Sequence, residues 1–123
     1  MAHDDTIRWL EKPEAHDYEA AASYLGLIFP GPQAARFVSQ LRRARPAEFK
    51  AKDIFRASGL SLLGVSNSHV EKDRAQIDKG EALSPLLLVR DEQNGKVVVA
   101  DGYHRLCAVY QVDEDAWIPC KIV

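Results

Sequence analysis

The sequence lacks the features that mark secreted, membrane-bound and zinc-binding proteins. It has only two cysteines, Cys107 and Cys120, and they form no CxxC pair. Its apolar runs all fall short of the roughly 20 residues that a membrane helix needs, and the acidic start MAHDDTIRW has no apolar core of the kind that a signal peptide carries. We therefore expect a cytoplasmic protein without membrane contact, in which both thiols are reduced and buried.

The charge balance gives no overall attraction to nucleic acid. The formal net charge is −2 at pH 7, so direct DNA binding is not expected. In one basic run, Arg42, Arg43 and Arg45 are best interpreted as complementing a helix C-terminus. The alternative for the run is a patch that faces nucleic acid or phosphate. The members of this run are Arg36, Arg42, Arg43, Arg45, Lys50 and Lys52. The histidines are scattered along the chain, and no metal site is predicted. They are His3, His16, His69 and His104.

The composition is that of a globular protein, with 46% apolar and 28% charged residues. We expect one domain over residues 1–123, made of a loose lead-in (1–13), a helical hairpin (14–45) and a core (48–123). Apolar residues at helical spacing, interrupted by the Pro-Gly-Pro at 30–32, predict the hairpin. The buried positions are expected to be Tyr18, Ala21, Ala22, Leu25, Ile28 and Phe29 in the first helix, and Ala34, Phe37, Val38 and Leu41 in the second.

Beyond residue 48 the pattern predicts short strands and helices, and thus an α+β fold with a small mixed sheet. EFKAK is typical of a short strand, and DIFRASGL of a helical turn closed by Gly59. Ser68 and Glu71 have capping-box spacing and predict the start of a polar helix that ends at Gly80. LLLVR predicts a strand buried on both faces, followed by a hairpin turn at Asn94-Gly95 and the strand KVVVA. The helix YHRLCAVYQV and the strand WIPCKIV follow, with Pro119 indicating an edge position or a bulge.

The segment ADGYHRLCAV (100–109) places four functional residue types between a strand and a helix. A helix start presents unpaired N–H groups, and Gly102 allows close approach of a ligand to the backbone. A bound phosphate would accept hydrogen bonds from His104 and Arg105 in the first helical turn. Asp101 has two interpretations: a helix N-cap, or a carboxylate turned toward a metal, a hydroxyl or an amine.

The start of the polar helix is a second possible binding site for an anion. Ser68, His69 and Lys72 lie there beside free N–H groups. The alternative is an ordinary capped surface helix. No Walker A loop is present in the sequence, so any nucleotide would be held in a different way.

The sequence GYHRLCAVYQ, with the strands before and after it, resembles the ParB/sulfiredoxin-like superfamily over residues 48–123. The resemblance implies a ParB/sulfiredoxin-like core after the N-terminal helical hairpin. Sulfiredoxins carry a reactive cysteine between the glycine and the histidine of this motif, where this chain has Tyr103, so sulfinic-acid reduction is not expected. Partition-type ParB proteins carry a helix-turn-helix after this region, and none is expected here.

The motif Asp101-Gly102-Tyr103-His104-Arg105 is closest to the D-G-x-H-R of the free-serine kinases in this superfamily. That resemblance implies that His104 and Arg105 hold the phosphates of a nucleotide (ATP, ADP or CTP), with or without Mg²⁺, and that Asp101 helps to hold the acceptor. An acidic residue near the first strand, Asp53 or Glu48, would act as the base. The expected function is nucleotide binding with phosphoryl transfer to a small hydroxyl compound. The alternative is a module that senses a nucleotide or binds a protein partner without turnover, in connection with a DNA-processing system.

Overall fold

The chain forms helices and short strands in an α+β arrangement, as predicted. The computed structural model describes residues 7–62 and 67–123. In chain order the elements are β1 (Arg8–Trp9), α1 (Ala15–Ile28), α2 (Gly31–Arg43), β2 (Ala47–Lys50), α3 (Ala51–Ser58), α4 (Ser68–Asp78), β3 (Ala82–Leu83), β4 (Leu86–Asp91), β5 (Lys96–Asp101), α5 (Tyr103–Val112) and β6 (Trp117–Ile122).

The main sheet has four strands in the order β2-β6-β4-β5. Strand β4 runs parallel to β6 and antiparallel to β5, and β2 runs antiparallel to β6. The prediction that LLLVR is buried on both faces is confirmed for its first four residues. Leu86 and Leu88 belong to the apolar cluster on one face, and Leu87 and Val89 to the cluster on the other. Helices therefore cover both faces of this strand.

One face of the sheet is covered by α1 and α2, and the other by α3, α4 and α5. The hairpin prediction is confirmed for Ala34, Val38 and Leu41 of the second helix, whereas Phe37 is only partly buried. It is corrected for the first helix, in which Phe29 is also only partly buried. Tyr18, Ala21 and Leu25 are buried, whereas Ala22 is exposed and Ile28 is 45% exposed. Ile28 lies beside the edge strand β5, where it lines an open pocket with Tyr24 and Val98. A helix covered by one neighbour and one sheet buries only part of its circumference.

The lead-in is part of the fold from residue 7 onward, which corrects the prediction of a loose segment. Ile7 is 7% exposed and belongs to the main apolar cluster. Arg8 and Trp9 pair in parallel with Ala82 and Leu83. Residues 1–6 lie outside the described ranges. The alternating pattern that could have indicated a strand is too short, at two residues, to be read from sequence.

Pro119 was predicted to mark an edge position or a bulge, and the structure shows neither: β6 is not an edge strand, and its registers with β2 and β4 are continuous. Strand β6 lies inside the sheet, between β2 and β4. Its parallel ladder with β4 begins at the pair Leu86 and Cys120, one residue after Pro119. The missing proline N–H therefore falls where this ladder starts and interrupts no bond between these two strands.

Both cysteines are buried, as predicted, and burial raises the pKa of the Cys120 thiol to about 12. Within the described residues, the helices are all too short or too polar to cross a membrane.

Candidate functional site

The junction between β5 and α5 differs from the predicted helix cap. Asp101 is the last residue of β5, and Gly102 is the N-cap residue of α5 with φ at 108°. Within residues 7–62 and 67–123, no side chain caps this helix start. The interpretation of Asp101 as a cap is therefore wrong. The N–H groups of the first turn of α5 are left without a side-chain acceptor.

The Asp101 carboxylate forms an ion pair with Arg105, and both side chains are mostly buried. Arg105 Nη2 donates to Asp101 Oδ2 at 2.9 Å, and the two side chains are 17% and 14% exposed, respectively. Arg105 also donates from Nε to the carbonyl of Ser84 at 3.0 Å and from Nη2 to that of Pro85 at 3.3 Å. This arginine thus connects the start of α5 to the segment between β3 and β4.

A second buried acid, Asp17 of α1, adjoins this ion pair and was missed by the sequence analysis. It is 3% exposed, and one of its oxygens accepts a hydrogen bond from Glu14 N at 2.8 Å. Burial raises the pKa of Asp101, the Arg105 charge opposes that increase, and a hydrogen bond with the Asp17 carboxyl adds to it. The capping-box spacing of Glu14 and Asp17 is the sequence signal that would have found the acid.

A polar cleft opens where the first turns of α4 and α5 meet, and we call it the α4–α5 cleft. Its volume is about 170 Å³. Most of the binding residues predicted from sequence line this cleft. Asp73, which was not predicted, lines it as well. The lining residues are His69, Lys72, Asp73, Asp101, Gly102, Tyr103, His104 and Arg105.

The two imidazoles lie side by side in the α4–α5 cleft, with ring centroids of His69 and His104 4.8 Å apart. Partial burial lowers the pKa of His104, the nearby His69 lowers it further, and Asp73 opposes the shift. Burial raises the pKa of Asp73, while the positive charges of Arg105 and Lys72, and of the His104 and His69 rings when they are protonated, oppose that increase. The cleft therefore combines basic side chains with two carboxyls, the half-buried Asp73 and the Asp101 that is paired with Arg105.

The start of α4 is capped by Asn67, which corrects the predicted capping box of Ser68 and Glu71. Asn67 Oδ1 accepts from His69 N at 3.0 Å and from Val70 N at 3.2 Å. Ser68 is the first helical residue, is exposed and does not line the α4–α5 cleft. At this helix start, the side chains of His69 and Lys72 therefore line the cleft, while two N–H groups already have an acceptor.

The predicted bases, Glu48 and Asp53, are not brought to the α4–α5 cleft. Glu48 is exposed on β2, and Asp53 lies on α3, with Oδ1 at 3.5 Å from Arg56 Nη2. Asp53 lines a separate, mainly apolar pocket of about 230 Å³. The acid that does lie beside His104 is Asp73. Its signal was its i+4 spacing from His69, which places both side chains on one face of α4.

Tyr103 lies between Gly102 and His104, and its hydroxyl donates to the carbonyl of Ser61. Burial is the first cause of the raised pKa of this phenol. The contact ties the start of α5 to the segment after α3. Tyr103 thus closes one side of the α4–α5 cleft as a neutral hydrogen-bond donor.

Comparisons with protein-family models, with curated proteins and with solved structures found no match to this chain. The ParB/sulfiredoxin-like resemblance remains a prediction from the motif.

Proposed function

We propose that this chain binds the phosphate groups of a nucleotide in the α4–α5 cleft. The observation that carries the proposal is the start of α5: Gly102 opens it without a side-chain cap, and it faces a cleft lined by two imidazoles and Lys72. Free N–H groups and the positive end of the helix dipole favour an anion at this position.

The charges around the cleft fit this ligand. Arg105 offsets the Asp101 carboxylate at 2.9 Å, so this acid adds little net repulsion toward a phosphate. Lys72, His69 and His104 supply the remaining donors. Asp73 is the carboxylate that Mg²⁺, bound together with nucleotide phosphates, would contact.

Phosphoryl transfer to a small hydroxyl compound is the second candidate, and Asp73 is the residue that favours it. Its carboxyl lines the same cleft as His104 and has a raised pKa because it is half-buried. A base for a hydroxyl needs such a position, whereas Asp53 and Glu48 lie outside the cleft. Consumption of ATP or ADP in the presence of an acceptor identifies the enzyme, and binding without consumption identifies the sensing module.

The test is thermal unfolding with ATP, ADP and CTP, with and without Mg²⁺, on the wild type and on His104→Ala. A nucleotide at about a hundred times its Kd stabilises the fold by about 2.7 kcal/mol, which raises Tm by several degrees. We expect this increase in the wild type, and its loss in His104→Ala and Lys72→Ala. Lys79→Ala is the matched control, because Lys79 is exposed at the opposite end of α4. An increase that persists in His104→Ala contradicts the proposal.

The affinity for the nucleotide is expected to increase as the pH falls through the range below 6.5. In the ligand-free protein the pKa of His104 lies below its usual 6.5, so the neutral ring is favoured and acid weakens the fold. A bound phosphate favours the charged ring and raises that pKa, so binding takes up a proton. Isothermal titration across this pH range measures the slope for the wild type. In His104→Ala, the change of affinity with pH that remains comes from the titration of the ligand itself. Equal changes of affinity with pH in the wild type and in His104→Ala contradict the prediction.

A further inference from the structure

The sheet face beneath α1 and α2 is covered over β4 and β5 but not over β2 and β6. Within the described residues, the buried apolar cluster on this side takes its strand residues from β4 and β5 alone. They are Leu87, Val89, Val98 and Ala100. In β6, Ile118 and Cys120 belong to the cluster on the other side of the sheet. Because successive side chains of a strand point to opposite faces, Trp117 and Lys121 lie on the uncovered side.

Basic side chains and one aromatic ring make up this uncovered area, which we call the β2–β6 face. Lys50 pairs with Trp117 in the ladder between the two strands, and Lys50 Nζ is 5.5 Å from the centroid of the indole ring. Trp117 is 49% exposed. Lys121 Nζ donates to the carbonyl of Arg42 at 3.0 Å, which brings the end of α2 beside β6. The residues of the β2–β6 face are Arg42, Arg43, Arg45, Lys50, Trp117 and Lys121.

The positive charge of the β2–β6 face is not neutralised by neighbouring acids. Across residues 7–62 and 67–123, none of its five cations forms an ion pair. Glu48 lies on the same side of β2, whereas Asp115, two residues before Trp117, is already paired with Lys52 at 2.6 Å. A net charge of −2 for the whole chain therefore coexists with a local excess of positive charge, which attracts an anionic partner.

We propose that the β2–β6 face binds a single-stranded nucleic acid. Its phosphates would pair with the lysines and arginines, and a base would stack on the indole ring of Trp117. The exposed ring beside a cation favours this occupant over an acidic peptide, which offers charge without a flat base at each residue. It also disfavours a duplex, in which the bases are already stacked on one another.

The β2–β6 face is separate from the α4–α5 cleft, because the two share no residue. Both would bind phosphate groups, so an oligonucleotide has to be tested against variants of each. His104→Ala and Lys72→Ala should leave the affinity for an oligonucleotide unchanged. A loss of oligonucleotide binding in these two variants would place the oligonucleotide in the cleft and overturn the proposal.

The test is fluorescence anisotropy of labelled oligothymidylate and oligouridylate of about twelve nucleotides, over a range of salt concentrations. We expect a Kd of about 1–100 µM for at least one of them at low salt. Lys50→Gln and Arg42→Gln should each lower the slope of log Kd against log salt by about 0.7, because one fewer counterion is released. Lys79→Gln is the matched control, since it removes an exposed cation at the end of α4.

Stacking on the ring is tested separately from charge. Trp117→Leu keeps an apolar side chain and should weaken binding roughly 5- to 100-fold, whereas Trp117→Phe keeps a ring and should lose less. Glu48→Gln removes the acid from this side of β2 and should strengthen binding, while Glu92→Gln, in the turn between β4 and β5, should not. The Tm of each variant reports whether the fold is intact, and Glu48→Gln and Lys50→Gln test the surface even if Trp117→Leu lowers Tm.

Three results would overturn the proposal. The first is no binding of either oligonucleotide at low salt. The second is an unchanged affinity in Trp117→Leu. The third is competition by polyglutamate that is as strong as competition by unlabelled oligonucleotide, because the surface would then recognise charge alone.

Discussion

Arg105→Ala is expected to lower the free energy of unfolding by about 2–4 kcal/mol, because loss of one partner costs about 3–5 kcal/mol in a fully buried ion pair and this pair is partly buried. The substitution leaves the Asp101 carboxylate, 14% exposed, without its guanidinium. It also removes the donors to the carbonyls of Ser84 and Pro85. Urea denaturation followed by circular dichroism measures the loss.

Two variants identify the origin of that loss. Arg56→Ala is the control for an arginine in an exposed pair, since the Arg56 side chain is 86% exposed, and it should change stability by less than about 0.5 kcal/mol. Asp101→Asn in the Arg105→Ala background should recover part of the stability, because it removes the unpaired buried charge. If Arg105→Ala loses less than about 1 kcal/mol, water solvates the Asp101 carboxylate in place of the guanidinium. Arg105 would then not be needed for stability and would be available to bind a ligand.

Gly102→Ala is expected to cost about 2–4 kcal/mol, from a strained backbone and a steric clash together. The φ angle of Gly102 is 108°, which lies outside the favoured left-handed region for an alanine. A Cβ atom there would lie 2.8 Å from Leu86 Cγ and 2.9 Å from Arg105 Nη2. Leu86 is fully buried, so it has little room to move. Thermal and urea unfolding both measure this change.

Gly95→Ala separates the backbone part from the steric part. Gly95 has φ at 64°, and a Cβ there meets nothing within 4 Å. This variant should lose only the roughly 1–2 kcal/mol of a left-handed alanine. Similar losses at both positions would contradict the claim that the backbone of Gly102 must approach Leu86 and Arg105 closely.

The local signals in the sequence were sufficient for most elements. Four consecutive apolar residues at 86–89 indicated a central strand, and that strand is buried on both faces. Glycines at 59 and 95 indicated chain reversals, and both adopt positive φ. These features depend on a residue and its neighbours, so a single sequence carries them.

The candidate site was only partly predictable, because its contacts join distant segments. The sequence left two interpretations of Asp101, a helix cap or a carboxylate turned elsewhere. Its partner Arg105 is held by the carbonyls of Ser84 and Pro85, which lie 21 and 20 residues from Arg105 in the chain. Asp17 belongs to a helix on the other face of the sheet, and no local pattern connects it to Asp101. Glu48 and Asp53 were placed by analogy of order along the chain, which does not fix where a side chain lies. The position of Asp73 on the same face of α4 as His69 follows from helical spacing alone, and the sequence analysis overlooked it.

The position of β6 between β2 and β4 sets the order in which the sheet can assemble. The hairpin of β4 and β5 closes through a turn of four residues, 92–95, and can form early from local contacts. The pairing of Ala47 with Cys120 instead closes a loop of most of the chain. That loop carries the larger entropic cost, and β2 has no other strand of the sheet to pair with. The folding rate should therefore be limited by the pairing of β6 with β2 and β4. This pairing joins the segment before α3 to the hairpin that supports the cleft.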